Sequence, residues 1–294
     1  MDSFLFSFPF SFSFEIWGFI ASFFSCGLLA ISGNALQFFF QNPLMEPYFL
    51  GSFSGASLGL LIWCLLFFWM PHSLKLHSWY WASSFFILAG SLLSLFLPLG
   101  LSRLHPHKKY LPLFAGLLLI QISTSLWQTI GHYLPRELFS WAMAKLEGNF
   151  WGLGPQEGII FLFFSSLSLL GFLRLAPALN IIRMGDHFSQ SLGVNLPRIQ
   201  LLCLGLVALT TSFLAYFIGP ISFVGLFIPH FTRLFFPLKQ ASTLLILSFI
   251  FGGLLGIFLA YTHLIFSQWI FFPLNSLLSV FGGIFLLFIV KKTS

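Results

Sequence analysis

Charge is what this chain has least of. Of 294 residues, 13 are Lys or Arg and 7 are Asp or Glu, against 58% apolar. So few charges cannot cover the surface of a water-soluble domain of this length, and a mean hydropathy of +0.96 marks a polytopic membrane protein. Cysteine is scarce too. Cys26, Cys64 and Cys203 lie singly inside apolar runs, which excludes a disulfide framework and reads as three small buried hydrophobes. There is no GxxxxGK[ST], so the chain hydrolyses no nucleotide itself. HExxH, CxxC and clustered carboxylates are missing as well, and His72 and His77 fall on the opposite side from His105 and His107, so no metal site is expected. The acids Asp2, Glu15, Glu46, Glu137, Glu147, Glu157 and Asp186 lie at segment ends or between segments. None occupies the middle of a span, where a proton- or sodium-coupled carrier often keeps one. Residues 1–14, a Phe/Ser-rich tail, hold no Lys or Arg, so no cleaved signal peptide is expected.

What is present is apolar length. The pattern predicts an all-α transmembrane helix bundle, a single domain over 1–294. About nine apolar segments fall at 16–40, 48–70, 80–98, 111–133, 157–176, 198–218, 221–234, 241–262 and 270–290. The 43 Phe residues read as lipid-facing bulk. The net charge of +6 is thinly spread, which signals topology and not nucleic acid. With the N-terminus outside, ten basic residues fall inside, from Arg103 to Lys292, and Lys75, Arg136 and Lys145 fall outside. That bias puts 177–197 in the cytoplasm. Gly51, Gly55 and Gly59 line one predicted helix face, and Gly252 and Gly256 another, for close approach of neighbouring helices.

The most telling stretch is Gly219–Arg233, GPISFVGLFIPHFTR. Between Pro220 and Pro229 the apolar run is about 8 residues, roughly 12 Å of helix, where a span needs about 20 residues. Broken backbone at membrane depth survives only where protein or a watery cavity supplies partners. Gly219, Pro220, Pro229 and His230 are therefore candidates for a broken element on a transport path. A second candidate is Gly33–Gly59. Its first helix is expected to stop at Asn42-Pro43, with Pro47 opening the next. Gln37 lies inside the apolar segment, and Gln41, four residues on, is expected on the same face. Gln37, Asn42, Pro43 and Ser54 are candidate path or hinge residues.

Two connections complete the set. In 177–197, Gly185 and Gly193 bracket DHFSQSL, with Asp186 as cap or first-turn acid. Periodicity leaves open whether this short helix docks a partner or merely lies at the interface. In 134–156, expected to be a polar outside loop, Trp141 and Trp151 read as belt aromatics, while Arg136, Glu137, Lys145 and Glu147 read equally as contacts for an extracytoplasmic partner or as parts of a solvated loop.

Four blocks together resemble the FecCD-type permeases, the membrane subunits of ABC importers for iron–siderophore complexes, haem and cobalamin. They are 33–59, WAMAKLEGNFWG at 141–152, LNIIRMGDHFSQSLGVNLPRIQ at 179–200, and GPISFVGLFIPHFTR. The resemblance implies a multi-pass protein of the bacterial cytoplasmic (inner) membrane, paired with a second copy or a sister permease, with the path between the two. Cytoplasmic ATPase subunits, carrying ATP and Mg, would dock at Gly185, Asp186, His187, Ser191, Leu192 and Gly193. An extracytoplasmic substrate-binding protein would dock at Arg136 and Lys145. The chain itself would bind no cofactor and catalyse no bond chemistry. Departures from the family pattern are an expected nine spans where relatives usually have ten, Tyr261 in place of an acid, and a divergent stretch from Phe272 to Ile284. A stand-alone secondary carrier and a permease that has lost transport are the alternatives.

Overall fold

The computed structural model describes residues 12–70, 79–105, 108, 110–236 and 240–266, together with 275, 278, 280 and 282. Among them all regular structure is helical: α1 (Phe12–Phe40), a short 3-10 helix (Pro47–Leu50), α2 (Ser52–Trp69), α3 (Trp79–Ser94), α4 (Phe96–Leu104), α5 (Leu111–Gly131), α6 (Arg136–Leu146), α7 (Pro155–Ile182), α8 (Asp186–Ser191), α9 (Leu196–Phe217), α10 (Val224–Phe235) and α11 (Ala241–Phe266). Seven spans are long and apolar enough to cross a membrane. They are α1, α2, α3 with α4, α5, α7, α9 and α11. The short α10, at twelve residues, is not among them. The expected ninth segment, 270–290, lies outside the described residues apart from four positions.

Helix α1 is the axis of the bundle, fully buried from Ser25 to Phe40, and it packs along α11, α7, α10 and α9. Small residues set that closeness. A Cβ on Gly252 would sit 2.6 Å from the Cys26 carbonyl oxygen, and one on Gly256 would overlap the Ser22 carbonyl, so α11 lies backbone-to-backbone on α1. The strip expected at Gly51, Gly55 and Gly59 is divided. Gly55 and Gly59 abut Gly90 and Phe86 of α3, but Gly51 precedes α2 in a left-handed conformation (φ 80°) and faces Gly116 and Leu119 of α5.

Contacts between distant residues gather at two ends. At one, Trp151 Nε1 donates to His263 Nδ1 at 3.0 Å, and the Asn149 N–H donates to the Ile218 carbonyl at 2.7 Å. At the other, Gln41 meets Ile182 and the Ala241 N–H donates to Asn180 Oδ1 at 3.0 Å.

Three boundaries differ from the sequence reading. Helix α7 continues through Pro177 to Ile182, so the expected loop 177–197 begins only at Arg183. Proline removes one hydrogen bond, but packing of Ala176, Leu179 and Ile182 holds the last turns. The expected loop 134–156 contains α6, which buries Leu138 and Ala142. Its aromatics pack inward: Trp141 lies 5.0 Å from Trp63 and Trp151 lies 5.3 Å from Phe19. The span near 80–98 reaches Leu104 by bending at Leu95, where Pro98 has no N–H for the Ser94 carbonyl.

Candidate functional site

The broken element has two parts. From Gly219 (φ 91°) to Phe223 the backbone is non-helical, then α10 runs twelve residues to Phe235. Pro229 does not interrupt it, contrary to the sequence expectation. A proline deprives the carbonyl four residues earlier of its partner, and that carbonyl belongs to Gly225. Gln37 Nε2 donates to it at 3.2 Å, and to the Met45 carbonyl at 3.0 Å. The break is thus repaired by a side chain from α1. Close approach makes this possible, since a Cβ on Gly33 would overlap the Gly225 carbonyl.

Arg233 closes the inner end of the junction. Its guanidinium donates to Gln37 Oε1 and, at 3.4 Å, to Asn34 Oδ1. Asn34 Nδ2 donates to the Leu244 carbonyl (3.1 Å) and Ser248 Oγ (2.8 Å), and Ser248 Oγ lies 3.1 Å from Thr232 Oγ1. One polar network therefore ties α1, α10 and α11 in an otherwise apolar interior, where each unpaired group would be costly. His230 is half-buried on α10, and Pro220 is buried in the extended entry. Among the described residues no three His, Cys, Asp or Glu side chains converge.

The connection after α1 holds the second cluster. Helix α1 stops at Phe40 as expected, but Gln37 and Gln41 do not share a face. Gln41 has left the helix with φ 51°, and its Nε2 donates to the Ile182 carbonyl (2.8 Å) and Asp186 Oδ1 (3.2 Å). Asn42 Oδ1 accepts from the Leu44 N–H at 3.0 Å, and Pro43 is exposed. Glu46 then turns inward. It is 3% exposed, and its carboxylate accepts from the Phe223 N–H at the start of α10. Burial raises its pKa from 4.5 to about 7, opposed in part by that hydrogen bond. Sequence reasoning counted Glu46 only as a turn acid, because nothing local shows the chain folding back into the bundle. Ser54 is buried in the first turn of α2, two residues from Ser52, whose Oγ lies 2.5 Å from Thr211 Oγ1 on α9.

At the inner end, α8 begins after Gly185 (φ 117°) and is followed by Gly193 (φ 79°). Asp186 stands in its first turn. His187, Phe188, Ser191 and Leu192 are exposed. Only Ser189 is buried, its Oγ donating to the Ile181 (3.1 Å) and Gly185 (2.7 Å) carbonyls. A cleft of about 550 Å³ opens beside α8, lined by Phe40, Gln41, Lys108, Tyr110, Phe114 and Asp186.

A third feature escaped the sequence reading. Helix α5 exposes Gln121, Thr124, Ser125, Gln128 and Thr129. Gln121, Ser125, Gln128 and His132 follow at i, i+4, i+7 and i+11, one helix face. Phe114 and Leu117 continue it to the inner cleft. A polar stripe on a membrane span belongs against water or protein, not lipid. Its signal was present as i, i+4, i+7 polar spacing, masked by the surrounding Leu and Ile.

The expected outer docking residues part company. Arg136 is exposed at the start of α6. Lys145 is turned into the fold: its Nζ donates to Ser83 Oγ (2.9 Å) and Ser84 Oγ (3.2 Å) of α3 and lies 5.4 Å from the Trp141 ring centroid. Burial lowers its pKa.

Known proteins resemble this chain in sequence and in fold. The chain is 31% identical over 217 residues to the vitamin B12 import system permease of Yersinia enterocolitica, covering 70% of this chain and 59% of the relative. It is 32% identical over 217 residues to the hemin transport system permease of Yersinia pestis, covering 70% and 60%. It is 26% identical over 290 residues to the iron(3+)-hydroxamate import permease of Escherichia coli, covering 94% and 40%. The chain thus spans about 60% of the length of the first two relatives. A solved inward-facing metal-chelate type ABC transporter shares the fold, with a TM-score of 0.78 at 21% identity, covering 94% of this chain and 85% of that one. With the FecCD transport family model matching residues 7–292, the chain belongs to the FecCD transport family.

Proposed function

We propose that this chain is the membrane permease subunit of an ATP-driven, binding-protein-dependent importer, and that it carries a chelated metal, such as ferric siderophore, haem or cobalamin, across the bacterial inner membrane. The observation that carries the reading is the exposed polar face of α5. It runs along a membrane-crossing helix from the outer end at His132 to the cleft beside α8. A second permease copy facing it would enclose a path with polar walls in its outer half and a Phe114–Leu117 constriction further in. The exposed side of α8, with His187, Ser191 and Leu192, is suited to a cytoplasmic ATPase that binds ATP and Mg. Arg136 on α6 is the charge available to an extracytoplasmic binding protein. The bonding of Lys145 to α3 argues against an equal part for it.

The test is uptake. Proteoliposomes holding the permease, its ATPase and its binding protein should accumulate labelled ferric hydroxamate, haem or cobalamin only with ATP inside the compartment bearing the ATPase. Buried Glu46, titrating near neutrality, is the one observation favouring a proton-coupled carrier instead. Uptake driven by a pH gradient without ATP would establish that rival.

A further inference from the structure

We propose that the 41–46 connection is the mechanical link between α8 and α10, with Gln41 and Glu46 as its two positioning residues. The assignment of α8 as an ATPase contact rests on the function proposed above, but the link itself rests on geometry. At one end, the exposed Gln41 bonds to the α7–α8 corner through the Ile182 carbonyl and Asp186. At the other end, Glu46 holds the Phe223 N–H, where α10 begins. Between them the Met45 carbonyl is fastened by Gln37, which also holds Gly225. The described chain has two residues other than glycine with positive φ, Gln41 (51°) and Phe223 (66°). One is the connection's own first residue, tied to the α7–α8 corner, and the other is the residue that Glu46 holds. Side chains rarely tolerate that conformation unless their surroundings hold it, so each is poised to relax if its grip is released. The connection is only six residues long. Proline at 43 limits its flexibility, so a displacement of α8 is passed on to Phe223 and not absorbed on the way.

Coupling of this kind is reciprocal, and that gives a test needing no transport. Amide hydrogen exchange is measured on the full chain in nanodiscs. Gln41→Ala should speed exchange at Val224–Phe227 in α10 by about tenfold, although the bonds it removes are to Ile182 and Asp186. Glu46→Ala should speed exchange at Phe188–Leu192 in α8. Asn195→Ala, which removes the cap of α9 at the same membrane face, should leave α10 unchanged. Because Gln41 is exposed, its variant is expected to fold even if the Glu46 variant does not. Faster exchange confined to the neighbourhood of each substitution would overturn the link. With ATPase present, Gln41→Glu, which sets a carboxylate against Asp186, should raise the ATP hydrolysed per cobalamin taken up by about tenfold. An unchanged ratio would also overturn it. If the wild-type chain binds no ATPase, the functional reading falls while the exchange result still decides the link.

Discussion

Gln37 shows how much can hang on one side chain. It serves two carbonyls and one guanidinium in an interior that offers no water. Gln37→Leu keeps the volume, deprives both carbonyls of this donor and leaves Arg233 with Asn34 alone, so thermal unfolding in detergent should show a loss of at least about 2 kcal/mol. The sequence placed Gln37 correctly as an intramembrane amide facing the bundle. It could not reveal why Pro229 is tolerated, because the two lie 192 positions apart and meet only when α1 and α10 pack. Glu46 makes a prediction in pH. Its folded pKa is raised above 4.5 to about 7, so the folded state binds the proton more tightly than the unfolded chain does. The group's stabilising contribution is full below about pH 4.5, declines as pH rises, and is gone above about pH 7. The shift bounds the effect at about 3 kcal/mol. Glu46→Gln keeps an acceptor for Phe223 and removes the titration. Its melting temperature should exceed the wild type's at pH 8, and the difference should vanish near pH 4.5. Equal melting curves at both pH values would show that Glu46 does not titrate in this range.

At the scale of elements, glycines decide which helices touch. Gly33→Ala would drive a methyl group into the Gly225 carbonyl, and should cost about 1–3 kcal/mol by forcing α1 and α10 apart. Gly205→Ala in α9 meets nothing within 4 Å and should be neutral, or stabilise by up to about 1 kcal/mol through helix propensity. Melting of the two variants side by side separates packing from propensity. The end of α1 at Phe40, the short α8 between glycines and the brevity of α10 were all legible in proline and glycine spacing. Helix α6 was not. Its polar, Trp-bearing sequence has the composition of a loop, and it is helical because Leu138, Ala142 and Trp141 find partners in the bundle. Pro177 misled in the opposite direction, since tertiary contacts on both sides of it outweigh one missing hydrogen bond.

At the scale of the whole molecule, the polar face of α5 predicts where water reaches. Single cysteines at Gln121, Ser125 and Gln128 should react with a membrane-impermeant maleimide added from outside, with reaction slowing inward from Gln128 to Gln121. A cysteine at Leu167, exposed on the apolar face of α7, should not react. The native Cys26, Cys64 and Cys203 are buried and should stay silent. Reaction at Leu167 equal to that at Gln128 would mean that the α5 face is not a water path.

The sequence alone determined that the chain is a membrane bundle, where most helices stop, and which family it resembles. These properties depend on composition and on local backbone preferences, all written within a few residues of where they act. The tertiary structure decided the rest. It turned Lys145 inward to serines 61 and 62 residues away. It sent Gln41 to α8, and Gln37 and Glu46 to α10. It left one polar face of α5 exposed among the described residues. Hydrogen-bond partners in a dry interior are set by which helices come within a side chain's reach, and that reach is a property of packing, not of sequence distance.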